Sequence, residues 1–246
     1  MQVCKNCGAQ VIGTYCNRCG QKIALERISF HYIWHGLVHF FTHAEHGFFY
    51  TTRELIVAPG RAVKNFLDGK RKVHQTPVSY FLIWNAIYIL LLYMIGKVYG
   101  ENRVVNFAEY FGPEEKTKFA ISHLNIVLIF LLPFQAFYLW LVILFRRYNY
   151  FEAFVAMLYA IGTLLLWQCV FVLMAIPVSL LTGKSVHIQW SDIFKALYIG
   201  WFMTDFVKQL PVKFKAVRVM TVLLLVFLTF TTWRIFVFPF VADLFF

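Results

Sequence analysis

The chain holds 246 residues, 60% of them hydrophobic and only 14% charged, with 28 Phe, 13 Tyr and 7 Trp. A soluble domain carries about 25% charged residues, so this deficit excludes an ordinary soluble globular protein and sends most side chains toward lipid or other apolar helices. The net charge of +11 is large, and ten of the 23 Lys and Arg fall in the first 72 residues; with no recognised nucleic-acid module, nucleic acid is not expected as a partner, and charge of this kind beside a membrane domain orients the chain and attracts anionic headgroups.

The chain opens with Cys4-x2-Cys7 and Cys16-x2-Cys19, each pair followed by glycine, Gly8 and Gly20. Two such knuckles supply four sulfurs in a tetrahedron, the closed arrangement of a structural Zn2+ site. The competing readings are two disulfides or four unrelated thiols. A segment this short cannot fold by burial alone, so metal binding would be its folding energy. Four thiolates leave no open coordination position, which points to holding a partner or bracing a neighbouring domain rather than to catalysis. Reduced thiols also place the N-terminus on the cytoplasmic side. No small-residue cleavage site closes the first apolar stretch, so no signal peptide is expected.

Residues 28–50 are too polar to span a membrane and too aromatic for a soluble linker. His31, His35, His39, His43 and His46 recur there at helical spacing and fall within an arc of about 120°. Ile33, Trp34, Leu37, Phe41 and Phe48 take the opposite arc. Three readings stand: an interfacial helix with an imidazole face, a second metal site with Glu45 as an extra ligand, or a proton-handling face. His74, His123 and His187 are scattered, so no second histidine box supports a di-iron enzyme.

Thr51-Thr52-Arg53-Glu54 fits a capping box, with Thr51 as N-cap and Glu54 at the third helical position. That helix should end near Ala58-Pro59-Gly60, and a second short helix should stop at Gly69. Arg61, Lys64, Lys70, Arg71 and Lys72 would face lipid headgroups from this interfacial block.

Spans are expected at Val78–Val98, Ala120–Phe145, Tyr150–Thr182 (long enough to project beyond the bilayer or to break at Pro177) and Met220–Val241. Gln189–Val207 is ambiguous. If it crosses, Lys208, Lys213, Lys215 and Arg218 fall on the inside with Arg146 and Arg147, as the positive-inside tendency favours. The expectation is therefore five crossings, N-terminus inside. Polar residues within spans are the place to look for function. Asn85, Gln135, Gln168, Cys169 and Arg234 qualify, with interhelical hydrogen bonding the plainer role for the three amides. Arg234 needs a partner or a wet path, and Glu152 is a candidate; Asn85, Glu152 and Arg234 form the candidate intramembrane polar site. Hydrolase triads, phosphate loops and HExxH are absent.

Gly47-Phe48-Phe49-Tyr50-Thr51-Thr52-Arg53-Glu54-Leu55, followed by Pro59-Gly60-Arg61, Gly69-Lys70-Arg71-Lys72 and Thr76-Pro77, resembles an uncharacterised family of bacterial membrane proteins. Its members pair an N-terminal zinc ribbon with a helical membrane domain. The ribbon, ending Tyr15-Cys16-x2-Cys19-Gly20-Gln21, fits that layout, and the resemblance covers roughly the first 95 residues. It implies the bacterial inner membrane but no activity. At Asn149–Ala153 the family leads one to expect a histidine beside the acid, and this chain has Ala153.

The expected architecture is thus all-α and membrane-embedded. A zinc ribbon (1–24) precedes His-rich and basic juxtamembrane helices (25–75) and a helical transmembrane domain (76–246). The expected function is a non-enzymatic scaffold whose ribbon engages a cytoplasmic partner, with lipids and a protein partner or second copy as companions. The rivals are a transporter or channel, and a metal-dependent membrane enzyme using the histidine stripe.

Overall fold

The computed structural model describes residues 2–42, 47–100, 104–106, 129–187, 189–233 and 235. His43, His46, His123 and Arg234 lie outside them, as do parts of the expected second and last spans. Two short antiparallel strands, β1 (Gln2–Val3) and β2 (Gln10–Val11), open the chain. Helices α1 (Phe30–Thr42), α2 (Phe48–Val57) and α3 (Pro59–Leu67) follow. Then come α4 (Pro77–Tyr99), α5 (Ile129–Leu144), α6 (Tyr150–Thr182), α7 (Gln189–Lys208) and α8 (Lys215–Thr232). Between them, β3 (Val105–Asn106) pairs in parallel with β4 (Val186–His187).

Among the described residues, three helices are long and apolar enough to cross a membrane: α4, α6 and α8. Helix α7 has the length but carries Asp192, Lys195, Asp205 and Lys208. Helix α6 runs unbroken through Pro177. At 1.5 Å per residue its 33 residues extend about 50 Å, against about 30 Å of bilayer hydrocarbon, so it is longer than one crossing needs.

The most extensive packing is between α4 and α6, which run parallel. Tyr80 meets Tyr159 near the start of α4, and the Tyr80 hydroxyl bonds that of Thr163 at 3.1 Å. Ala156, Ala160 and Thr163 are buried along this contact, and a Cβ added at Gly162 would meet Tyr80 and Phe81, so small residues let the two helices approach closely. Helix α7 runs the other way: Gln168 on α6 donates to Ser191 at its start (3.1 Å), while its far end reaches α3. The α4 start, α6 start, α7 end and α8 start therefore share one end of the bundle with the N-terminal ribbon. The β3–β4 ladder ties the connections after α4 and α6 together at the other end, and it is parallel because those helices are.

The expected cap at Thr51 is corrected. Helix α2 begins four residues earlier, after Gly47, and no side chain caps it. Thr51, buried, instead accepts a hydrogen bond from the Gln75 amide at 2.8 Å. A long-range contact has taken the hydroxyl that the local pattern assigned to a cap.

Candidate metal centre and its docking joint

Cys4 and Cys16 are buried, and all four ribbon cysteines are free thiols. That removes the disulfide reading. Their sulfurs lie within 4.8 Å of one another, with Cys4–Cys19 at 3.6 Å and Cys7–Cys16 at 3.5 Å. A tetrahedron with metal–sulfur bonds of about 2.3 Å has edges of roughly 3.8 Å, so the set fits a metal ion. The two knuckles repeat the same bonding: Gly8 N to Cys4 O and Cys4 N to Ala9 O in one, Gly20 N to Cys16 O and Cys16 N to Gln21 O in the other. Each glycine stands at positive φ, closing the turn beneath the sulfurs.

The thiols feel one another. The Ala9 amide lowers Cys7, but burial and its three thiol neighbours push it up to about 11. Burial raises Cys19, yet the Gln21 amide, the Asn6 side chain and the Cys4 and Cys7 thiols outweigh it and bring it down to about 6. Crowded thiolates repel, so the set ionises in full only around a cation.

The ribbon is not a free appendage. Gln21, next after the second knuckle, is buried and grips the turn that leaves α3. Its amide donates to the Gly69 carbonyl (2.9 Å), and its oxygen accepts from the Arg71 (3.1 Å) and Lys72 (3.0 Å) amides. Gly69 has φ +113, and a Cβ there would press on Lys5 and Leu25 of the ribbon and its linker. Arg71 reaches back to the Glu26 carbonyl (3.0 Å) and lies over the rings of Tyr32 and Phe66.

One step along, Arg27 pairs with Glu152 at 3.2 Å. Glu152 is only 5% exposed and closes a capping box at the start of α6: its carboxylate accepts from the Asn149 amide (2.7 Å), and the Asn149 side chain accepts from the Glu152 amide (2.8 Å). Asn149 also donates to the Ile28 carbonyl (2.8 Å). Tyr148 donates to Asp68 (2.8 Å), and Asp68 pairs with Lys64. Residues 21–28 are thereby fastened to both the α3–α4 turn and the α6 start.

The remaining sequence candidates are dispersed. Arg61 and Lys72 are exposed, and Lys70 lies over Tyr50. His31 and His35 are exposed with ring centres 6.3 Å apart; the His39 side chain is among those not described. Trp34, assigned to the apolar arc, is exposed as well, because α1 packs through Gly36 against Val78. Asn85 is buried in α4, far along the chain from the Glu152 cap, with its side-chain oxygen unpartnered among the described residues. Among those residues, the four ribbon cysteines are the one cluster able to hold a metal.

Two positions escaped the sequence reading. Gln21 appeared only as the end of a motif, and nothing local marks it as a clamp. Asp205 accepts from the Gly60 amide at the start of α3, a pairing 145 residues apart. The Asn149–Glu152 box was missed as well, although its Asn-x-x-Glu spacing is a local signal that could have found it.

Searches of curated proteins and of solved structures return no match. Residues 45–89, which contain α2, α3 and the first half of α4, match a family model described as a protein of unknown function (DUF3667).

Proposed function

We propose that this chain is a non-enzymatic scaffold of the bacterial inner membrane, with a zinc ribbon clamped against its own helical domain and presenting its outer face to a cytoplasmic partner. The clamp at Gln21 is the observation that carries this reading. A ribbon serving only as a flexible tether would not bury a glutamine in the turn of the next domain. Five crossings with the N-terminus inside fit the sharing of one end by the ribbon, Arg146, Arg147 and the Lys208–Arg218 segment. The exposure of His31 and His35 supports an interfacial histidine face rather than a second metal site. Crosslinking in native membranes tests the reading. Proteins captured by the wild type should be lost when Cys4 and Cys7 become Ser while the spans still insert; an unchanged set removes the scaffold role of the ribbon.

One observation keeps a transport reading as second. The Asn85 side-chain oxygen is buried without a partner among the described residues, as in the wall of a hydrated path. Liposome flux that falls on Asn85→Leu would favour it, and a tight bundle would end it.

A further inference from the structure

We infer that the corner between the end of α5 and the start of α8 is a binding site for an anionic phospholipid headgroup. Helix α5 ends in a π-turn, Trp140–Leu144, a form found often at functional sites. A helix end leaves carbonyls without amide partners, and the Val142 carbonyl here is taken by the Arg218 guanidinium. Arg218 also donates to the Lys213 carbonyl at 3.1 Å, and Lys215 to the Lys208 carbonyl at 3.1 Å. One arginine thus draws two basic segments together, Arg146–Arg147 and Lys208–Arg218.

Neither segment contains a carboxylate. Arg146, Lys213 and Lys215 are exposed and have no ion pair among the described residues, whereas the nearby acids are engaged elsewhere: Asp205 with the α3 amides, Glu152 with Arg27, and Asp68 with Lys64 and Tyr148. The positive charge is therefore available to an external anion.

Large apolar side chains flank this corner. Phe145 is 56% exposed, Phe214 77% and Val217 64%. Phe214 is the one non-glycine residue at positive φ among the described residues, a conformation that costs a bulky residue energy. Held there, its ring projects outward between Lys213 and Lys215. Cations beside protruding rings match the boundary where phosphate headgroups meet acyl chains, and the adjoining α8 is a candidate span. The occupant is a phospholipid with a net negative headgroup.

Full-length protein in a neutral mild detergent tests this by thermal melting with added phosphatidylglycerol, phosphatidylcholine or inorganic phosphate. Ligand binding to the folded form alone raises the melting temperature, by about 5 °C or more at a hundredfold excess over Kd. Phosphatidylglycerol should do so and phosphatidylcholine should not. The Lys213→Gln, Lys215→Gln double variant should lose at least half of that rise, measured against its own melting temperature without lipid. Phe214→Asn, which suits positive φ, should melt higher than the wild type without lipid yet gain less from phosphatidylglycerol. Equal stabilisation by both lipids, or a full rise in the lysine double variant, overturns the site. A rise reproduced by inorganic phosphate overturns the lipid assignment.

Discussion

Asp205, near the end of α7, accepts a hydrogen bond from the backbone amide of Gly60 at 2.8 Å and from that of Arg61 at 3.3 Å. It does for α3 what a capping residue does locally, since Ala58 at the N-cap has no side chain to offer. Gly60 permits the approach: a Cβ there would collide with the Phe206 backbone nitrogen. Asp205→Ala should cost about 1–2 kcal/mol in a denaturant titration, and Asp205→Asn, which keeps an acceptor, less than half as much. Equal losses for the two would mean that the carboxylate is not acting as a cap. Gly60→Ala should be worse than either, because backbone must move.

Replacing Gln21 by Ala removes three hydrogen bonds at the ribbon joint and leaves the Arg71 and Lys72 amides to find other partners. The expected cost is about 1–3 kcal/mol. Limited proteolysis reads it more directly: residues 21–28 should be cut faster in the variant, with the metal content unchanged. Protection equal to the wild type would show that the ribbon is held by something other than this side chain.

Arg27 and Glu152 contribute unequally. The Arg27 side chain is 64% exposed and the Glu152 side chain 6%, so the ion pair itself adds little, under about 1 kcal/mol. Glu152 also holds the capping box. Glu152→Ala should therefore destabilise by about 1–2 kcal/mol more than Arg27→Ala. A double-mutant cycle with a coupling energy as large as the Glu152→Ala loss would reverse this ranking.

His74 gives the protein a sensitivity to acid. Burial beside Tyr50 and Phe66, helped by the charge of Lys70, lowers its pKa from 6.5 to about 4. A depressed histidine stays neutral when folded while the unfolded chain takes up the proton. Its stabilising share is full above about pH 6.5 and is lost as pH falls toward 4, in total on the order of 3 kcal/mol. Thermal melting from pH 7.5 to 4.5 should show that decline, and His74→Phe should flatten it. A slope unchanged by the substitution would assign the acid sensitivity to other groups.

What could be read in the sequence was what neighbours along the chain decide. The paired knuckles around Cys4 and Cys16 are local, and so are the long apolar runs of α4 and α6. The Thr51-x-x-Glu54 pattern misled for the opposite reason: Gln75, folded back from 24 residues away, claims the Thr51 hydroxyl. Glu152 was paired in expectation with Arg234, on the assumption that an acid near a span answers a base within one. Glu152 sits at the start of α6, where Asn149 and Arg27 use it, while Arg234 lies outside the described residues. The Gly60–Asp205 and Gln21–Gly69 contacts join distant segments through single backbone groups, and no spacing rule announces them. The count of crossings was hardest to read because α7 mixes an apolar centre with charged ends, among them Asp192 and Lys195, which pair with each other at 2.8 Å.

The most direct measurement is elemental metal content per chain on the full-length protein purified in mild detergent. The account predicts one zinc per chain, lost when Cys4 and Cys7 become Ser, with residues 21–28 turning protease-sensitive in the same preparation. No metal in the wild type, or metal undiminished in the serine variant, would contradict it.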